Sequence, residues 1–176
     1  FEPNLNIQLW KDYEDEMEIY LENPSGERVG PLKEALGAQR WSLGNTELLI
    51  YYGKPAPYHV TQEIYVDFLV KDEADPLRIQ QSSYIDSGVA ATEVKGVASM
   101  AGNIKNGEYF LWLPGGKTLN PGTAFYLPRA QGTLTIPATA RRVISVGAYD
   151  ARLNAYADFS GRGSCNLPYP KPDLTA

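Results

Sequence analysis

The chain has 176 residues, enough for one hydrophobic core or for a domain and a piece of another. Aromatics make up 11 %, mostly Tyr, beside 16 Gly and 13 Pro, a balance that favours a β-rich, turn-rich fold over a helical one. The formal charge of −5 is spread along the chain without a basic stripe, which argues against nucleic acid as a partner, and no apolar run approaches a membrane span. A single Cys, Cys165, leaves no internal disulfide to form, and no Cys–His constellation surrounds it. The chain opens on Phe1, shows no signal peptide and ends in KPDLTA. It reads as an internal segment of a longer protein.

Taken in order, residues 4–10 (NLNIQLW) alternate, with Leu5, Ile7 and Leu9 on one face. Residues 11–16 form a charged turn. Residues 17–22 (MEIYLE) alternate again before the turn Asn23-Pro24-Ser25-Gly26. Two amphipathic strands around a charged turn predict antiparallel pairing with each other. Leu32 to Leu36 could form a helical turn between Pro31 and Gly37. Residues 46–52 (TELLIYY) and 63–70 (EIYVDFLV) are further predicted strands, the second followed by an acidic turn. The signal weakens over 77–103, where small residues and Ser accumulate. It returns at 108–113 (EYFLWL), after the hairpin-type dipeptide Asn106-Gly107. Five or six short strands separated by turns indicate a β-sandwich, most simply a jelly roll or related Greek key.

The C-terminal region has another character. Residues 143–149 (VISVGAY) form a compact, β-branched apolar run, which predicts a strand buried on both faces as in a parallel sheet. Around it stand IPATA at 136–140, Asp150, the stretch ADFSGRG at 157–163, and KPDLTA at 171–176. In this order the motifs resemble the subtilisin-like serine proteases, the subtilases. There a Pro-containing bend leads into VIxVGAxD, then xAxFSxxG, then KPDLxAPG. Residues 5–26 and the segment NGEYFLWLP at 106–114 are similar to a jelly-roll domain inserted into clostridial germination-type subtilases. Residues 80–102 are richer in small residues than such an insert implies.

The resemblance implies a mainly β chain: a jelly-roll-like β-sandwich insert over 1–133, then a fragment of a subtilase α/β catalytic domain over 134–176. The parent would be a serine endopeptidase acting on polypeptide through an Asp/His/Ser triad and an oxyanion Asn. By the family's motif order none of these four lies in this chain, so the segment alone is expected to be inert. No cofactor is implied. The bend before the VISVGAYD strand implies that Thr135, Pro137 and Ala138 stand near the substrate's S1 pocket. An extracytoplasmic or spore-associated location is implied by the family alone. The remaining catalytic domain would be this segment's partner. Without it, apolar strand edges would promote self-association.

Competing patterns carry less chemistry. Gly96-Val97-Ala98-Ser99-Met100-Ala101 superficially matches a nucleophile motif, and His59 and Asp12 or Asp15 precede it in triad order. It lacks the G-T-S core and comes before, not after, the VISVGAYD strand. Ser160 and Ser164 lie near glycines but fit no G-x-S-x-G elbow. Asp12, Glu14, Asp15 and Glu16, and likewise Asp72, Glu73 and Asp75, could in principle hold Ca²⁺. A solvated turn that discourages edge pairing is the simpler reading of both. Trp10, Trp41 and Trp112 could offer a sugar-binding face, although Trp10 and Trp112 adjoin strand cores and suit packing. A binding module and an inactive relative of the protease are therefore the alternatives to an active protease.

Overall fold

The computed structural model describes residues 5–54, 61–70, 91–96, 104–105, 107–115, 118–119, 121–135, 137–163 and 169–176. The chain is mainly β, and among the described residues there is no helix. It divides into two compact units, residues 1–123 and 124–176. The division lies before the expected 133/134 boundary, so residues 124–133 cluster with the C-terminal unit. Backbone bonds explain this: Thr133 N donates to Arg162 O at 2.8 Å and Gly132 N to Gly163 O at 3.3 Å.

In the first unit, β1 (Leu5–Asp12), β4 (Ala38–Leu43), β5 (Thr46–Tyr52), β6 (Thr61–Val70) and β8 (Tyr109–Trp112) form a five-stranded sheet in the order β4-β5-β6-β1-β8. A second sheet has the order β3-β2-β7, from β2 (Met17–Glu22), β3 (Arg28–Val29) and β7 (Ala91–Gly96). All these ladders are antiparallel. Alternation decides which face is buried. On β5, Thr46, Leu48, Ile50 and Tyr52 are buried; on β6, Gln62, Ile64 and Val66 are. Of these, Leu48, Ile50, Tyr52, Ile64 and Val66, with Leu9 and Leu43, meet Ile19, Leu21 and Val29 of the second sheet in one core cluster. The two sheets therefore make a sandwich. Burying a side chain such as Leu48, Ile50 or Ile64 stabilises it by roughly 1.5–3 kcal/mol.

Several expectations are corrected. Strands β1 and β2 do not pair with each other: β1 pairs β6 and β8, and β2 pairs β3 and β7. The turn between them carries the chain from one sheet to the other, and the buried Lys11 and Asp15 hold that crossing. Residues 32–36 form no helical turn. Leu32 is instead tied to the sandwich through its N–H to Ile19 O at 2.9 Å and its carbonyl, which accepts from Tyr52 Oη at 3.1 Å. The strand after Gly107 pairs with β1, while Asn106 of the hairpin-type dipeptide lies outside the described residues. Strands β3, β4 and β7 were not foreseen. The β4–β5 hairpin turns at Gly44-Asn45, with Gly44 at φ 58°, as a two-residue loop with glycine first demands. The Asn23 turn stands as expected: Asn23 Oδ1 accepts from Ser25 N, Ser25 Oγ and Glu27 N at 2.7–3.1 Å.

In the second unit, β9 (Val146–Gly147) pairs in parallel with β12 (Leu174–Thr175), and β10 (Tyr149–Asp150) pairs antiparallel with β11 (Ala155–Tyr156). The expected parallel pairing is present, but burial on both faces is not. Ile144 is 76 % exposed, Val146 56 % and Leu174 49 %. Each strand of this two-stranded parallel sheet has a neighbour on one side, which leaves the apolar run facing solvent. Gly147 and Gly163 are required by close approach. A Cβ on Gly147 would strike the Tyr156 hydroxyl, and one on Gly163 would strike the Lys171 carbonyl.

Candidate functional site

The C-terminal unit holds a cavity of about 480 Å³. One wall is the loop Arg129, Ala130, Thr133, Leu134 and Thr135 with Ala138; the other is Asp158, Phe159, Ser160, Gly161 and Arg162. The walls are stitched together by a reciprocal pair. Thr133 N donates to Arg162 O at 2.8 Å, and Arg162 N donates to Thr133 Oγ1 at 2.9 Å. Leu134 approaches Gly161 so closely that a Cβ there would sit 3.0 Å from its Cδ2, so the small residue sets the distance between walls. Thr135 and Ala138 line this cavity, while Pro137 is not among its lining residues. Pro137 O instead accepts from Ala140 N at 2.9 Å and closes the bend before β9. Ile136 lies outside the described residues.

Among the described residues no nucleophile is assembled around the cavity. Ser160 is the hydroxyl nearest to that role, but its Oγ accepts from Ala148 N at 2.9 Å and contacts Gly161 O at 3.4 Å. It ties the 157–161 turn to the end of β9. His59, Ser99, Ser164 and Cys165 lie outside the described residues, as do Asp72, Glu73 and Asp75.

The KPD segment anchors β12 to the run before β9. Asp173 Oδ2 accepts from Ser145 N at 2.7 Å and from Lys171 Nζ at 2.6 Å. Lys171 Nζ also donates to Val143 O. Its side chain is 2 % exposed, so its ammonium is committed to these acceptors. The Lys171 ammonium, with Ser145 adding to it, holds the Asp173 carboxyl at about 2. The motif Lys171-Pro172-Asp173 thus positions backbone and takes no part in chemistry at the cavity.

The N-terminal acidic cluster is structural in a different way from the solvated turn expected. Asp15 is 1 % exposed and Lys11 3 %. Asp15 accepts from the N–H groups of Lys105 and Gly107, the latter at 2.9 Å, and so fixes the approach to β8. Lys11 Nζ donates to Asp15 O at 2.7 Å and Asp12 O at 3.3 Å. Burial pulls the Lys11 ammonium down from its ordinary value, and Glu34, Asp15, Asp12 and Glu16 oppose that pull. Only the outer members keep the solvated role: Glu14 pairs with Lys105 at 3.0 Å, both well exposed. Among the described residues no group of three or more His, Cys, Asp or Glu could hold a metal ion.

The three Trp residues separate. Trp41 packs against the core cluster, whereas Trp10 and Trp112 lie on the opposite face of the five-stranded sheet. Packing is expected of Trp10 and Trp112, yet it is Trp41 that packs against the core cluster, on a strand that alternation alone does not reveal. Among the described residues no helix is long and apolar enough to cross a membrane.

No protein-family profile matches the chain, and no curated protein matches it. Among solved structures it is similar to the CspB protease of Clostridium perfringens, with a TM-score of 0.75 and 27 % sequence identity. The alignment covers 99 % of this chain and 33 % of that one, so the chain spans about a third of the length of the protease it resembles. Mainly β, and alike from end to end, this chain is related to a clostridial protease.

Proposed function

We propose that the chain is the non-catalytic third of a subtilisin-like serine endopeptidase. Its sandwich is a jelly-roll domain inserted into the catalytic domain, and residues 134–176 are the stretch of catalytic domain to which the chain returns. The observation that carries this reading is the similarity to a clostridial protease over 99 % of the chain. The order IPATA, VISVGAYD, ADFSGRG, KPDLTA supports the subtilisin type. The exposed apolar run at Ile144 and Val146 supports a parallel sheet that other segments of a longer chain complete.

In this reading the triad Asp, His and Ser and the oxyanion Asn stand on those other segments. The His deprotonates the Ser, the Ser attacks the scissile carbonyl, and the Asn helps hold the oxyanion. This chain contributes Thr135 and Ala138 to the wall of the substrate pocket, with Pro137 setting the bend that presents them. Enlarging Ala138 to Leu in the full-length protein would shift its preference away from bulky side chains at the cleaved residue. A side-chain preference indifferent to Ala138 would remove the pocket assignment and leave the protease reading standing.

The test of the reading itself is labelling by a fluorophosphonate probe. The full-length protein should react at a Ser outside these 176 residues and hydrolyse casein, and the isolated chain should do neither. An isolated chain that hydrolyses casein would show that the active centre is here.

A further inference from the structure

Residues directly opposed across an antiparallel ladder point to the same side of the sheet. Since Leu9, Leu48, Ile50, Ile64 and Val66 are in the core, the residues between them face outward. Gln8 lies opposite both Trp112 and Tyr65, and Tyr65 lies opposite Tyr51. One row perpendicular to the strands therefore reads Trp112, Gln8, Tyr65, Tyr51 and ends at Ala38. The adjacent row reads Phe110, Trp10, Glu63. On the other side of the first row stand Asn6, Asp67, Leu49 and Arg40, with no ring among them.

Five aromatic rings are thus gathered in two neighbouring rows, with an amide and a carboxylate set between them. Phe110 and Tyr51 are each 39 % exposed, and the other three are half-buried. The Tyr51 and Tyr65 rings lie 6.4 Å apart, tilted by 55°. At about 4.8 Å between strands, the row from Trp112 to Tyr51 spans about 14 Å.

A solvent face of an antiparallel sheet is ordinarily polar, with apolar residues scattered singly. Rings in a row suit a ligand whose repeating units each present an apolar face. Interposed amides and carboxylates suit one that also carries hydroxyls at its edges. Charge narrows the class. Arg40, the guanidinium at the margin of these rows, is paired with Glu47 at 2.6 Å, while Glu63 and Asp67 flank Tyr65. The face carries net negative charge and disfavours phosphate-rich surfaces and nucleic acid. A β-1,4-linked glycan has the matching form: an extended ribbon of pyranose rings with C–H faces and equatorial hydroxyls.

We infer that the outer face of the five-stranded sheet binds a neutral β-1,4-linked glycan chain along the row from Trp112 to Tyr51. The rings stack on pyranose faces, and Gln8 and Glu63 hydrogen-bond the hydroxyls. The site lies wholly within residues 1–123 and does not depend on the protease reading.

Calorimetric titration of the chain with cellohexaose and chitohexaose, read in parallel by Trp fluorescence, tests it. At least one should bind saturably. Trp112→Ala should weaken binding by about tenfold or more, as truncation of an aromatic anchor does. Tyr51→Ala, at an exposed site, and Gln8→Leu, which keeps bulk and removes the amide, should each weaken it while thermal unfolding stays cooperative. Trp41→Phe, on the core side, should leave affinity unchanged. Failure of both glycans to bind overturns the inference. So does affinity indifferent to Tyr51→Ala and Gln8→Leu, or binding of a polylysine peptide in place of the glycans.

Discussion

Asp15 is a carboxylate almost wholly removed from water, and two backbone N–H groups donate to it and offset the cost of its burial. Asp15→Ala leaves the Lys105 and Gly107 N–H groups without that acceptor. It should destabilise the sandwich by about 1–3 kcal/mol for each donor left unsatisfied, in denaturant unfolding. Lys11→Met keeps the bulk without a buried charge and should cost less. Asp173 titrates in the fold at about 2 against an ordinary 3.8, held there first by Lys171 and then by Ser145. A depressed carboxyl stabilises the fold fully above its unfolded value and loses that contribution as pH falls through the folded one. The C-terminal unit should therefore weaken with acid between about 3.8 and about 2. Tyr fluorescence of the 149–156 hairpin, compared with Asp173→Asn, measures this; the variant should be less stable at neutral pH and should lack the acid-linked loss in that window. Tracking of the two proteins through the window would remove Asp173 as the cause.

Alternation made individual strands legible. Residues 46–52 and 17–22 match their sequence-read bounds, because alternate apolar residues must face one core. Partners were not legible. A turn containing Asp12 and Asp15 reads as a solvated hairpin until burial of Asp15 against residues 105 and 107 shows that it crosses between sheets. Strand β4 was hidden because its outward residues, Ala38, Arg40 and Ser42, are exposed and its inward set includes Gln39. The resemblance names Thr135, Pro137 and Ala138, of which Thr135 and Ala138 line the cavity; it does not name Arg129, Asp158 and Arg162, which backbone bonds between distant loops bring together. The inward and outward faces of the large sheet should differ sharply under mutation. Leu48→Ala should cost about 2–5 kcal/mol. Arg40→Ala, which breaks an exposed ion pair, should cost less than about 1 kcal/mol. Equal costs in chemical denaturation would contradict the assignment of faces.

At the scale of the whole chain, the two units differ in how they satisfy their strands. The sandwich encloses a core between two sheets, whereas the parallel pair β9–β12 leaves Ile144, Val146 and Leu174 exposed. Small parallel sheets are normally covered on both faces. The chain by itself should therefore associate with rising concentration in sedimentation, and Val146→Asp should reduce that association; a monomer at every concentration would contradict it. In a longer protease the same surface would be covered by the rest of the catalytic domain. The most direct measurement is active-site mapping of the full-length protein by fluorophosphonate labelling and peptide mass spectrometry. The label should fall on a Ser in a segment after residue 176, with residues 1–176 unlabelled. A label within residues 1–176, or a full-length protein that neither reacts nor cleaves casein, would contradict the assignment of this chain to the non-catalytic third of a serine endopeptidase.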